Sequence, residues 1–172
     1  MLKKTVEVAL NDQLNSEFYS AYLYMSMAGY FEHLSLPGFS NWMKVQYQEE
    51  NSHTMKFFRY INERGGKVVL KGVNAPPSSW KSPLNAFEET LKHEEEVTEN
   101  INELLDIAMK EKDHATTNFL QWYIKEQVEE EANVSNIIAK LKMIQGSNES
   151  LFLLDKDLAQ RVFVDTTMGG TP

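Results

Sequence analysis

The sequence predicts an all-α fold: a four-helix bundle with one long crossover between helices two and three, followed by a short fifth helix. Apolar residues recur at helical spacing in four long segments, approximately 5 to 34, 38 to 64, 83 to 112 and 115 to 144, and in a shorter one from about 149 to 161. Turns within each pair are short, whereas residues 65 to 82 form an unusually long connection. This connection reaches roughly 60 Å when extended, and a helix of about 28 residues spans roughly 42 Å. It can therefore run the whole length of the bundle.

Each helix boundary carries a local signal. Pro37-Gly38 separates the first two helices, and Gly65-Gly66 ends the second. Ser82 is the expected N-cap of the third helix, with Pro83 at its first position. Gly146-Ser147-Asn148 separates the fourth helix from the fifth.

Composition restricts the function and the partners. The 172 residues suit one domain, expected at 1–165, with a disordered tail at 166–172. The net charge of -8 is spread through helical patterns, so we expect cations and no nucleic acid as partners. Cysteine is absent, which excludes disulfides and thiolate metal sites and fits a cytoplasmic location. The sequence predicts no membrane segment and no signal peptide.

A weak internal repeat relates the two helix pairs. Ser40-Asn41-Trp42-Met43 corresponds to Thr117-Asn118-Phe119-Leu120, an offset of 77 residues (117 − 40). The same offset relates polar residues in the two halves: Glu17 to Glu94, Glu49 to Glu126, Glu50 to Gln127 and His53 to Glu130. The two pairs are therefore expected to place polar groups at matching positions.

Every long helix carries polar residues on its apolar face. Glu50, for example, lies within roughly 60° of Met43 and Phe57 on a helical projection. At about 1.5 Å rise per residue, six such side chains fall at one level of the bundle. They are Glu17, Glu50, His53, Glu94, Gln127 and Glu130. The alternative is a set of partly solvated carboxylates with a structural role only, but the convergence of all six side chains on one level favours a functional site.

Four buried glutamates need protons or cations, because an unpaired buried charge costs several kcal/mol. No lysine or arginine occupies the seam at that level, and two divalent ions would neutralise four carboxylates. Oxygen ligands with one imidazole favour iron or manganese, although zinc could also bind. Iron suits redox chemistry best.

The motifs around Glu17, Glu50-x-x-His53, Glu94 and Gln127-x-x-Glu130, with the crossover and fifth helix, resemble bacterial-type non-haem ferritin over nearly the whole chain. The resemblance implies two irons per subunit and a ferroxidase that oxidises Fe(II) with oxygen or hydrogen peroxide. It also implies storage of Fe(III) as mineral in a homo-oligomeric cage of 24 subunits, with the fifth helix at the fourfold contacts. The ligands it implies are Glu17, Glu50 and His53 for one iron and Glu50, Glu94 and Glu130 for the second, with Gln127 beside the site.

Three departures separate this sequence from neighbouring families. Bacterioferritins carry a second Glu-x-x-His, whereas Gln127-Val128-Glu129-Glu130 stands here, so the second iron should bind more weakly. Haem-bridged bacterioferritins have methionine after the bridging glutamate, whereas this chain has Asn51, so no haem is expected. The cysteine-ligated iron domain of rubrerythrin-type peroxidases is impossible without cysteine.

Further acidic residues lie one step around the bundle. Glu49, Glu126 and Glu129 are candidates for a third, more exposed cation site, and the angular position of Glu130 lets it face both places. An ordinary solvated acidic face is the alternative. Tyr24 shares the face of Glu17 and is a candidate to donate an electron or a hydrogen bond near the irons; core packing is the alternative.

Other chemically versatile residues are assigned to structural roles. We expect His33, His93 and the Glu111-x-x-His114 motif at the surface. Methionines 25, 27, 43, 55, 109 and 143 are expected to pack in the core. Two other functions remain open: a soluble di-iron oxidase or peroxidase without a storage cage, and a non-catalytic helical interaction protein.

Overall fold

The computed structural model describes residues 2–144 and 146–168. Within these ranges it contains five α-helices, a short 3-10 turn and no strand, which confirms the predicted fold class. The helices are α1 (Lys4–His33), α2 (Pro37–Glu63), α3 (Pro83–Lys110), α4 (His114–Met143) and α5 (Asn148–Leu158), and the turn is Thr166–Met168. The α1–α2 and α3–α4 hairpins pack together through α1 and α3, and α5 packs on α2.

Side-chain caps begin α3 and α4. Ser82 Oγ accepts a hydrogen bond from the Asn85 amide at 3.1 Å, which confirms the cap expected from the sequence. Asp113 accepts from the Thr116 amide at 3.1 Å at the start of α4. The same carboxylate pairs with Arg64 at 3.0 Å, so the end of α2 is joined to the start of α4.

The start of α2 is capped from α5, far along the chain. Asp155 Oδ1 accepts hydrogen bonds from the amides of Gly38 at 2.8 Å and Phe39 at 3.0 Å. A Cβ on Gly38 would lie 1.6 Å from the backbone oxygen of Asp155, so only glycine permits this approach. The cap and the close contact together hold α5 against the bundle.

The long crossover runs along α1. Asn11 donates to the carbonyl of Lys67 at 3.0 Å and accepts from the amide of Val69 at 2.6 Å. Asn15, one turn later, donates to the Val69 carbonyl at 2.9 Å. These side chains pair backbone groups that have no helix or sheet partner, so the connection is fixed in place.

Two apolar clusters lie on either side of the predicted site level. One contains Tyr24, Phe31, Phe39, Trp42 and Phe87 among its buried residues. The other contains Leu14, Phe57, Ile101, Leu120 and Tyr123 among its own. The polar side chains between them are therefore shielded from water along the bundle axis.

Some surface and core assignments need correction. His93 was expected at the surface but is only partly exposed. It lines a surface pocket together with Pro77 and Trp80 of the crossover, and its Nε2 lies 2.8 Å from Ser20 Oγ. Met27 and Met43 are buried as expected. The core assignment was wrong for the other four methionines, Met25, Met55, Met109 and Met143, which are 43% to 78% exposed.

The predicted tail contains the described turn at Thr166–Met168, and its residues 169–172 lie outside the described ranges. In the part of the chain that the structure describes, no helix has the length and apolar character needed to cross a membrane.

Candidate metal centre

All six polar side chains predicted to share one level are buried. None of them is more than 3% exposed. They come from the four long helices, and each sits on the face that its helix turns to the bundle interior. Helical periodicity alone places them there, because they occupy the same stripes as the core residues.

Glu17, Glu50 and His53 form the inner group. One ligand atom from each lies within 4.8 Å of the other two. His53 Nδ1 is 3.7 Å from Glu17 Oε2 and 3.6 Å from Glu50 Oε2. Glu50 Oε2 is buried without a hydrogen-bond partner. A buried carboxylate oxygen of this kind is costly unless a cation or proton joins it.

The opposite nitrogen of His53 faces a second group. His53 Nε2 lies 3.9 Å from Glu126 Oε1, and His53, Glu126 and Glu130 also place ligand atoms within 4.8 Å of one another. This nitrogen is likewise buried without a hydrogen-bond partner. The imidazole therefore lies between two acidic groups, with Nδ1 facing one and Nε2 facing the other.

Glu94 is held by neutral donors outside both groups. The Tyr24 hydroxyl donates to Glu94 Oε1. Gln127 Nε2 donates to Glu94 Oε2 at 3.1 Å and to the Glu94 carbonyl at 3.3 Å. Tyr24 is thus both a core residue and a hydrogen-bond donor to the site, so the two sequence-based alternatives for it are not exclusive.

Two buried glutamines support the site and were not predicted. Gln13 Nε2 donates to Glu17 Oε1 at 2.7 Å, and Gln46 Nε2 donates to Glu130 Oε2 at 2.9 Å. Each glutamine lies four residues before an inner glutamate, Glu17 or Glu50, and so occupies the same helix face. That spacing was the signal that would have identified them.

The residues predicted for a third cation site are not all brought together. Glu126 and Glu130 meet at His53, as described above. Glu49 instead accepts from Arg161 Nη2 at 2.7 Å. Glu129 is exposed and belongs to neither group. Arg161 was not singled out from the sequence, because its contact with Glu49 depends on how the chain returns after α5.

Burial dominates the electrostatics of the carboxylates. It raises the pKa of Glu50 well above its usual value and also raises the pKa of Glu94. Burial, reinforced by Glu94, raises the pKa of Glu130 to about 7. Glu17 is different: burial works to raise its pKa, but the hydrogen bond and charge of His53 outweigh burial and lower it.

His53 supplies the positive charge that favours the ionised Glu17. Burial alone would lower the pKa of His53, but Glu50 and Glu17 raise it well above its usual value. Tyr24 stays a neutral donor, because burial and then Glu94 raise the pKa of its hydroxyl well above 10.0. The metal-free site is therefore kept near neutrality by protons.

These donors fit hard divalent cations with some affinity for nitrogen. The inner group offers carboxylate oxygens and one imidazole nitrogen, a combination that suits iron, manganese or zinc. Divalent ions would replace the protons on the buried carboxylates, so binding would release protons. Metal binding at this site would therefore exchange the protons of the metal-free site for the charges of the metal ions.

Comparison with known proteins gives a consistent picture. The family model "Ferritin-like domain" matches residues 7–144. The chain is 41% identical over 163 residues to the bacterial non-heme ferritin of Staphylococcus aureus (strain MRSA252), covering 95% of this chain and 98% of that protein. It is also 41% identical over 158 residues to a probable bacterial non-heme ferritin-like protein of Haemophilus influenzae, covering 92% and 96% of the two chains.

Solved structures show the same likeness. A ferritin from Archaeoglobus fulgidus, engineered into a closed form, has a TM-score of 0.94 and 54% identity, covering 95% of this chain and 100% of that one. The open-pore ferritin of the same archaeon has a TM-score of 0.93 and 54% identity, covering 94% and 100%. The matches extend over the four-helix bundle that holds the site, and the chain belongs to the ferritin family.

Proposed function

We propose that this protein oxidises Fe(II) at a buried di-iron ferroxidase site, with oxygen or hydrogen peroxide as oxidant, and stores the product as ferric mineral. Glu17, Glu50 and His53 bind one iron. Glu50, Glu94 and Glu130 surround the second, and Gln127 orients Glu94. Family membership supports iron storage in general, and the grouped carboxylates and histidine support metal binding.

One observation carries the proposal. Glu50 Oε2 and His53 Nε2 are buried and have no hydrogen-bond partner, although both belong to groups of potential ligands. A fold that needed these residues only for packing would lose free energy by leaving such atoms unsatisfied. Cation binding accounts for them.

The residues also suit the chemistry. Two irons held by shared carboxylates give one oxidant access to one electron from each metal, and carboxylate charge stabilises the ferric products. Glu50 is the proposed shared ligand, which is supported by its position beside His53 and by its electrostatic interactions with Glu17 of one proposed ligand set and Glu94 of the other. Oxygen-rich ligation, with no second histidine, leaves the second iron weakly held and free to move on.

Stopped-flow absorbance after adding two Fe(II) per subunit tests the inner site. Glu50→Ala and His53→Ala should remove the fast phase, because each deletes a ligand. Glu49→Ala should keep the first fast phase and change iron stoichiometry or later turnover, whereas Glu130→Ala should disturb both. The control is Glu95→Ala, next to Glu94 but exposed, which should behave like the unaltered protein. Loss of the fast phase in Glu49→Ala with its retention in Glu50→Ala would refute the assignment.

Storage requires an assembly, which we propose is a cage of 24 subunits. Apolar side chains remain uncovered in the single chain: Phe152 is 66% exposed and Leu153 is 59% exposed on α5. Phe18 and Tyr22 on α1 are 43% and 49% exposed. Exposed apolar residues on two separate helices support more than one kind of subunit contact.

Light scattering with aerobic Fe(II) loading distinguishes storage from a soluble di-iron oxidase. A storage protein should be a large hollow particle that takes up many irons per subunit. A stable dimer that oxidises Fe(II) without retaining it would favour the oxidase instead.

A further inference from the structure

The segment that follows α5, residues 159–168, lies against α2 and is called the C-terminal strap here. Asn41 Nδ2 donates to the carbonyl of Arg161 at 2.9 Å and approaches those of Leu158 and Ala159 at 3.3 and 3.4 Å. The Arg161 guanidinium lies 4.6 Å from the centre of the Trp42 ring. These contacts fix the position of Arg161 through both its backbone and its side chain.

The far end of the strap is also attached. Arg59 Nη2 lies 3.3 Å from Thr167 Oγ1. Burial raises the pKa of the Glu126 carboxyl group, and a hydrogen bond with the side chain of Thr166 partly offsets that rise. The strap therefore extends from Glu49, which Arg161 contacts, to Glu126, which Thr166 contacts.

The acidic residues beneath the strap are Glu126 and Glu130, which meet at His53, and Glu49, which is close enough to both to interact with their charges. The three together are called the outer cluster. Arg161 Nη2 is 2.7 Å from Glu49 Oε2, and the two side chains are only 20% and 19% exposed, so water screens the pair weakly. His53 Nε2, buried and without a hydrogen-bond partner, is aimed at Glu126. Arg161 thus supplies positive charge at the edge of a cluster into which a buried, unpartnered imidazole nitrogen is aimed.

We propose that Arg161 is a tethered counter-cation of the outer cluster, which a divalent cation must displace from Glu49 in order to bind there. The strap then sets the affinity of the outer cluster for cations, independently of the inner group. This inference rests on the proposed function, since it takes the outer cluster as a further cation site beside the ferroxidase ligands.

The physical reason is competition for one carboxylate. A cation bound by Glu49 would lie close to a guanidinium that already contacts the same oxygen, and like charges at such a distance repel strongly in a weakly screened place. The planar guanidinium on Trp42 can stay stacked while it releases Glu49, because the backbone bonds from Asn41 do not depend on that ion pair. Displacement therefore requires no unfolding of the strap.

Calorimetric titration of the metal-free assembled protein with Zn²⁺, a redox-inert probe, tests the proposal. The unaltered protein should show inner binding events and a weaker outer event. Arg161→Gln should strengthen the outer event on the order of tenfold or more, because one repelling charge is gone, and leave the inner events unchanged. Arg161→Lys keeps the charge and should stay near the unaltered protein.

A double-mutant cycle separates charge from structure. In a Glu49→Gln background the outer event should be weakened, and adding Arg161→Gln should have little further effect. Asn41→Ala loosens the strap while keeping every charge and should strengthen the outer event in the same direction as Arg161→Gln. Thr167→Val is the control: it removes the bond from Arg59 and the bond to Asp165, keeps the contacts of Asn41 and Glu49 with Arg161, and should leave the outer affinity unchanged.

The possible results are distinct. An unchanged outer affinity in both Arg161→Gln and Asn41→Ala would reduce Arg161 to a structural anchor. A weakened outer event in Arg161→Gln would mean that Arg161 positions Glu49 as a ligand, which also overturns the proposal. Normal inner events with no outer event in any variant would overturn this inference alone, whereas absence of the inner events in the unaltered protein would overturn the proposed function itself.

Discussion

Glu130→Gln should make the metal-free protein more stable at alkaline pH. Burial, with Glu94 adding to its effect, raises the pKa of Glu130 from 4.5 to about 7. The unfolded chain therefore loses this proton before the folded chain does. Stability linked to Glu130 is fully present below pH 4.5 and is lost as the pH rises through 7.

The magnitude follows from the two pKa values. A rise from 4.5 to about 7, at about 1.4 kcal/mol per pKa unit, corresponds to about 3 kcal/mol at pH 8. Glutamine is neutral and can still accept the hydrogen bond from Gln46, so Glu130→Gln should recover most of that free energy. At pH 5 the gain should fall below about 1 kcal/mol, because pH 5 lies only half a unit above the unfolded pKa of 4.5 and the folded carboxyl group still holds its proton.

Thermal unfolding of the chelator-treated protein at pH 5 and pH 8 measures the effect. For a chain of this length, about 3 kcal/mol corresponds to a shift of roughly 6 to 12 °C. The exposed neighbour of Glu94, Glu95, provides the control, and Glu95→Gln should unfold like the unaltered protein at both pH values. With Zn²⁺ present the order should reverse, since Glu130→Gln lacks a ligand. A variant that is no more stable than the unaltered metal-free protein at pH 8 would refute the reasoning.

Three further outcomes are expected. Asp155→Ala should lower the free energy of unfolding by about 2 kcal/mol in urea denaturation, because the amides of Gly38 and Phe39 lose a buried charged acceptor; an unaltered midpoint would contradict this. Truncation before Glu149 should weaken the assembly seen by light scattering, since it removes α5 and its exposed apolar side chains. Protein expressed with haem should show no Soret band, because Asn51 follows Glu50 where haem-bridged bacterioferritins have methionine. A stoichiometric Soret band would instead favour a bacterioferritin.

The sequence predicted those features that depend on neighbouring residues. Helix ends were close to the observed ones because their signals are local: Ser82 caps α3 as expected. The burial of Glu17, Glu50 and His53 followed from their positions on apolar stripes, since helical periodicity fixes which face a residue occupies.

Features that depend on distant residues were not predictable in the same way. Asp155 reaches Gly38 across 117 residues of sequence, and no local pattern links them. Arg161 reaches Glu49 across 112 residues, for the same reason. The core prediction was wrong for Met55 and Met109, which are 46% and 51% exposed. It was wrong because a helical apolar pattern does not reveal which faces of a helix the rest of the single chain covers.

Under the proposed function, the burial that destabilises the metal-free site would also govern how readily the site accepts and releases iron. In the metal-free protein the raised pKa of Glu50 and that of Glu130, about 7, keep protons on groups that the proposed function uses as ligands. Iron bound there would have to displace those protons, so its affinity should rise with pH. His53 lies between the two acidic groups: its Nδ1 faces Glu17 and Glu50, and its Nε2 lies 3.9 Å from Glu126 Oε1, beyond hydrogen-bond distance.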